Sequence, residues 1–248
     1  MGVLHIDPEP ARDRQPAGWL IDRLTFGRAV GAWIPDRFER YARILHPANE
    51  YWVGEGQRAD RSVRWSEIAE WSGQRLDSAS SIDNLQRRPD GATWRDAHPF
   101  RNMPFEGQLR PPELDRFLDL LAEPTSTPDR LWLLTWSGWG DLPRRHTRGA
   151  MVVSEDLTKS GRSYILFTGA IRPGIGDRHR LPAFPSFWWP DDGAWFVSTD
   201  IDSVSTYVGG SDALVTALLA DDVLEAFEAT LTDAHDGERE TRTTTELD

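Results

Sequence analysis

The run FWWPDDGAWFVSTDIDSVSTYVGGS, residues 187–211, decides how the rest of the chain is read. Pro190, Asp191, Asp192 and Gly193 suit a four-residue hairpin loop, because proline presets φ and glycine accepts positive φ. Such a loop sets Trp189 opposite Ala194, Trp188 opposite Trp195 and Phe187 opposite Phe196. Strand alternation then gathers Trp195, Val197, Thr199 and Ile201 on the face of Trp188. Phe196, Ser198, Asp200 and Asp202 fall on the other face, beside Phe187 and Trp189. One face is core; the second begins aromatic and ends in two carboxylates. STYVGGS (205–211) reads as a turn, with Gly209 and Gly210 free to take positive φ and Ser211 able to cap a helix. That helix presents Leu214, Val215, Leu218 and Leu219. A second short helix, capped at Asp221 or Asp222, carries Val223, Leu224 and Phe227.

Upstream, RLWLLTWSG (130–138) and RSYILFTGA (162–170) are nearly continuous apolar runs, the pattern of strands covered on both faces and central in a sheet. PPELDRFLDLLAE (111–123) is a helix. Pro112 suits its first turn, Glu113 and Asp115 complement its dipole, and Leu114, Phe117, Leu118 and Leu121 form one stripe. RAVGAWI (28–34) and YARILH (41–46) read as strands ended by Pro35 and Pro47. Ser66 can cap a short helix showing Ile68, Ala69 and Trp71. Residues 86–112 are rich in Pro and Arg and form a long connection or a seam. These elements define an α+β protein: a mostly antiparallel, twisted sheet of about five to seven strands with helices mainly on one side. Residues 1–18 read as a flexible leader, 19–232 as a single domain, and 233–248 as a disordered acidic tail.

Charge is distributed unevenly. Residues 183–248 carry 15 acidic side chains against 2 Arg, whereas the preceding residues carry 25 acidic and 26 basic. Nucleic-acid binding is disfavoured, since neutralising phosphates needs a basic surface; an acidic surface suits a basic protein partner, a cation, or nothing beyond solubility, the last being the commonest. Residues 142–182, with 8 basic and 3 acidic side chains, can compensate the acidic quarter internally, the simpler account, or bind an anionic partner. The chain has no cysteine, which removes thiolate chemistry, and Lys159 is its only lysine. No apolar run is long enough for a bilayer and the N-terminus lacks the pattern of a secretory signal, so a cytoplasmic protein is expected.

Two kinds of chemistry compete for the acids. Asp200-Ile-Asp202 has the D-x-D pattern with which glycosyltransferases hold a divalent cation, and Asp191 and Asp192 lie near the hairpin tip. Mg²⁺ or Mn²⁺ bound by Asp200 and Asp202 would serve a metal-assisted transferase or hydrolase. The simpler reading is a solvated face. There, exposed tryptophans near turns, Trp139 and Trp189, combine with Asp191, Asp192, Asp200 and Asp202 as the contact surface of a non-enzymatic binding module that needs no cofactor. The six His are scattered, and His146 and His179 stand among Arg. Gly209-Gly210-Ser211 before a helix could cradle phosphate, but Asp212 already occupies the positive end of the helix dipole. No motif names a catalytic residue.

At ERYARILHPA, WLLTWSGWG, FWWPDDGAWFV and STYVGGSDALVTALLADD the chain resembles a family of bacterial proteins from GC-rich genomes without an established activity. The likeness runs through most of residues 28–228 and brings no site residues with it. In size, acidity and Trp content the chain is also similar to immunity and SUKH-type adaptor proteins, an analogy that implies protein binding.

Overall fold

The computed structural model describes residues 2–20, 23–24, 27–54, 57–87, 103–139, 142, 152–153, 162–173 and 184–236. The strands are β1 Gly2–Pro10, β2 Arg40–Leu45, β3 Ala48–Gly54, β4 Gln57–Val63, β5 Leu131–Trp136, β6 Val152–Val153, β7 Tyr164–Pro173, β8 Phe187–Pro190, β9 Phe196–Ser198, β10 Ser205–Gly210 and β11 Ala226–Ala229. The helices are α1 Trp65–Ser72, α2 Ile82–Leu85, α3 Glu113–Ala122 and α4 Asp212–Leu219, with 3₁₀ turns at Gln15–Leu20 and Val30–Ala32. Eight strands form one sheet in the order β1-β7-β5-β8-β9-β10-β2-β11, β6 adds to β7, and β3 and β4 make a separate hairpin. Every described pairing is antiparallel. The fold is α+β, with more strands than the sequence patterns predict.

Both faces of the sheet are buried. On one, Leu133, Trp188, Trp195, Val197 and Val208 meet Phe117, Leu118 and Leu121 of α3 and Leu214, Val215 and Leu218 of α4. On the other, Leu134, Phe187, Trp189, Phe196 and Tyr207 are covered by Leu20, Leu24, Val30, Trp33 and Ile34. A third cluster joins Leu45 and Val63 to Trp65 and Ile68 of α1 and to Ile82 and Leu85 of α2.

The hairpin closes at Pro190–Gly193 as its sequence predicts. Gly193 N donates to Pro190 O at 2.9 Å and Gly193 takes φ +66°. The ladder, however, pairs Trp188 with Val197 and Phe187 with Ser198, two residues further along than expected. Pro190 and Asp191 are engaged by β5 instead: Pro190 registers with Leu131, and Asp191 N donates to Arg130 O at 2.9 Å. A shift of two residues preserves facing, so the sorting of side chains survives. The face expected to turn outward is nonetheless covered.

Several other expectations are corrected. STYVGG is strand β10, because Gly209 and Gly210 serve close packing: a Cβ on Gly209 would lie 2.5 Å from Phe38 Cδ2, and one on Gly210 would lie 2.7 Å from Leu214 Cδ2. The helix expected after Asp221 is strand β11. Asp221 Oδ1 accepts from Val223 N and Leu224 N in a tight turn, and the chain then pairs with β2. The strand expected at 28–34 is a 3₁₀ turn, whose Val30 N and Gly31 N donate to Asp233 O and Leu231 O. The leader forms edge strand β1 against β7, with Leu4 buried. Of the predicted tail, residues 233–236 pack on the sheet, and 237–248 lie outside the described residues. Helix α1 starts at Trp65, not after Ser66. The Glu225 carboxylate caps it by accepting from Trp65 N at 2.6 Å and Ser66 N at 3.0 Å. Most of segment 86–112, with His146 and His179, also lies outside the described residues.

Candidate functional site

The four acids singled out in the sequence divide between the two ends of the β8–β9 hairpin. Asp191 and Asp192 follow β8, and Asp200 and Asp202 follow β9, which runs antiparallel to it. At the loop end, exposed Asp191 accepts from Trp132 Nε1 at 2.9 Å and pairs with Arg130 at 2.5 Å. Asp192 accepts from Thr125 Oγ1 at 3.0 Å, Ser126 N at 2.7 Å and Ser126 Oγ at 2.8 Å. Partial burial pushes its pKa up, but these bonds and that from Ala194 N outweigh it and hold the carboxyl below its ordinary value.

At the other end, Asp200 and Asp202 share one guanidinium. Arg162 Nη1 bonds Asp200, Nη2 bonds Asp202 at 2.9 Å, and Asp202 N closes the turn on Asp200 Oδ1 at 3.1 Å. Asp200 is 7 % exposed. An arginine therefore occupies the position between the two carboxylates that the D-x-D reading gives to a metal ion, and no group of three or more potential ligands clusters among the described residues. The compensation expected between the basic middle and the acidic quarter takes place at Arg162.

Trp189 is 3 % exposed rather than open to solvent. It registers with Trp132 and meets the edge of Trp19 at a centroid distance of 5.7 Å, because the 3₁₀ turn at Gln15–Leu20 lies over it. Trp19, Trp132 and Trp136 are the partly exposed indoles of this layer. Trp139 is half-buried at the far end of β5 and edge-on to Trp136 at 5.9 Å.

That far end holds polar chemistry that the sequence reading missed. His46 is 1 % exposed at the end of β2. Its Nδ1 lies 2.8 Å from Phe105 O, which only accepts, so Nδ1 carries the proton. Nε2 then accepts from Thr206 Oγ1 at 2.9 Å, and Thr206 Oγ1 accepts from Thr199 Oγ1 at 2.8 Å. Burial depresses the His46 pKa to about 4, keeping the ring neutral. The three groups are sealed, so they form a fixed relay with no exposed nucleophile.

On the opposite face, Arg43, Ser203, Ser205, Tyr207 and Asp236 make a second buried cluster. Ser203 Oγ bonds Asp236 Oδ1 at 2.6 Å, and Asp236 N donates to Tyr207 Oη at 2.8 Å. His235 stacks between Trp33 and Tyr207, each at 5.0 Å. Burial raises the Tyr207 pKa, so its hydroxyl keeps its proton. Arg43 and His46 stand three apart in a run that reads as an ordinary strand. Their convergence with residues 199–207 and 236 comes from strand pairing, and only the apolar-to-polar change after Val197 hints at it.

No protein-family model, no curated protein and no solved structure matches the chain. No described helix is long and apolar enough to cross a membrane.

Proposed function

We propose that the protein is a non-enzymatic, cytoplasmic protein-binding module that recognises a basic partner through the loop end of the β8–β9 hairpin. The observation that carries this reading is Asp191: an exposed carboxylate that pins the indole of partly exposed Trp132 beside it. A tryptophan held rigid next to a charge loses little entropy on binding and suits an interface hot spot. Exposed Asp192 follows in the same loop and exposed Asp129 precedes Arg130 in the chain; Arg130 and Arg37, whose guanidinium lies at Gly193, are the cations at this end. Neither Trp189 nor the Arg162-bound pair Asp200 and Asp202 belongs to this surface.

The test is recovery of a partner from native lysate by the full chain, followed by binding measured with the purified partner. Trp132→Ala and Asp191→Arg are expected to release it at least tenfold, and Asp202→Asn, at the opposite end, to leave it bound. A partner held equally by the Trp132 and Asp191 variants but lost on Asp202→Asn overturns the assignment.

A further inference from the structure

Arg43 carries a buried charge that meets no carboxylate in a direct ion pair among the described residues. The residue is 2 % exposed. Its Nε donates to Ser205 Oγ at 3.0 Å and its Nη1 to the carbonyls of Ser78 and Ser80 at 3.0 and 2.9 Å. Nη2 is buried with no partner. Trp65 offers a ring face 5.5 Å away, and no carboxylate among the described residues forms an ion pair with this guanidinium. An arginine cannot shed its proton to escape, so the buried charge calls for a counter-ion.

The neighbours of Arg43 on the sheet supply further donors. Strand pairing sets Arg43 opposite Tyr207 and Tyr207 opposite Ser198, so the three stand in one row on one face. Ser198 Oγ is also buried without a partner. Tyr207 Oη accepts from Asp236 N and still has its own proton to give. Two negative charges act on Tyr207: Asp236, held by Ser203 Oγ, and Asp233.

We propose that Arg43, with Tyr207 beside it and Ser198 one strand beyond Tyr207, binds the oxyanion group of a small ligand, a phosphate or a carboxylate. Arg43 Nη2 makes the charge-assisted bond and Tyr207 Oη the second. The segment carrying His235 and Asp236 lies against Tyr207, so the ligand enters by displacing it. Asp236 opposes the incoming charge and sets the affinity.

Inorganic phosphate is the probe, read by thermal unfolding and by titration calorimetry on the full chain. Phosphate is expected to raise the melting temperature of the wild type. Arg43→Met abolishes the response, and Arg43→Lys weakens it, because an ammonium lacks the planar fork. Asp236→Asn keeps an acceptor for Ser203 and binds phosphate about tenfold more tightly. Asp191→Arg, at the hairpin loop, leaves the response unchanged, which separates this site from partner recognition. Equal responses from wild type and Arg43→Met overturn the proposal, as does no response from either wild type or Asp236→Asn. If Arg43→Met does not fold, an Arg43→Lys response equal to that of wild type overturns it.

Discussion

A methyl group at Gly209 would lie 2.5 Å from Phe38 Cδ2 and 3.0 Å from Tyr41 Cε1, two rings already packed edge to face at 6.4 Å. Gly209→Ala is therefore expected to destabilise the fold by about 1–3 kcal/mol, measured by urea unfolding, through overpacking rather than backbone strain. His46 gives a pH-dependent counterpart. Its folded pKa lies below that of the unfolded chain, so unfolding takes up a proton between about pH 6.5 and about pH 4. Its contribution is full above that window and declines by on the order of 3 kcal/mol as pH falls through it. His46→Gln should flatten the stability–pH profile there. Asp192 acts lower: its pKa is depressed, so its stabilisation is present above the ordinary carboxylate range and fades only as pH drops below about 4.

Among the elements, α1 depends on a distant residue. Glu225 caps it across 160 positions, and Glu225→Ala should cost about 1 kcal/mol, visible as faster amide exchange at Trp65 and Ser66. At the turn after β9, Arg162→Ala removes the cation from a largely buried pair and should cost about 3 kcal/mol. It also leaves Asp200 and Asp202 adjacent and uncompensated. Mn²⁺ is therefore expected to raise the melting temperature of that variant and to leave the wild type unchanged; a wild-type response would restore the metal reading. The elements differ in how plainly they are written. The stripe in α3, the apolar runs of β5 and β7 and the turn at Pro190–Gly193 rest on local periodicity and turn chemistry, which one segment carries by itself. Strand β10 was hidden by its glycines, which sequence reading assigns to turns, whereas here they make room for Phe38 and Leu214. β11 was hidden by Asp221, whose capping chemistry serves a turn as well as a helix. Of the site, the loop-end acids were legible. Arg162, Arg43 and His46 were not, because each acquires its partners through pairings between segments far apart in the chain.

For the whole molecule, the decisive feature is that, among the described residues, both faces of the sheet carry a covering layer. Residues 231–236 fasten the covering segment: Leu231 O and Asp233 O accept from Gly31 and Val30, Ala234 bridges Ala29, and His235 N donates to Arg28 O at 2.7 Å. A chain ended at Thr230 should lose these bonds together. It is expected to bind a hydrophobic dye and to melt several degrees lower, since roughly 1 kcal/mol shifts the midpoint by about 2–4 °C in a domain of this size.

Among the described residues the two ends of the strand order, β1 and β11, are the longer margins at which another extended chain could add to the sheet, beside the two-residue β6. β1 contains Pro8 and Pro10, which have no N–H to offer, and β11 is four residues long with Glu228 exposed within it. A visiting strand meets interrupted donors on one margin and a brief, charged ledge on the other. Despite its length and apolar interior, this sheet is poorly suited to templating its own growth into fibrils.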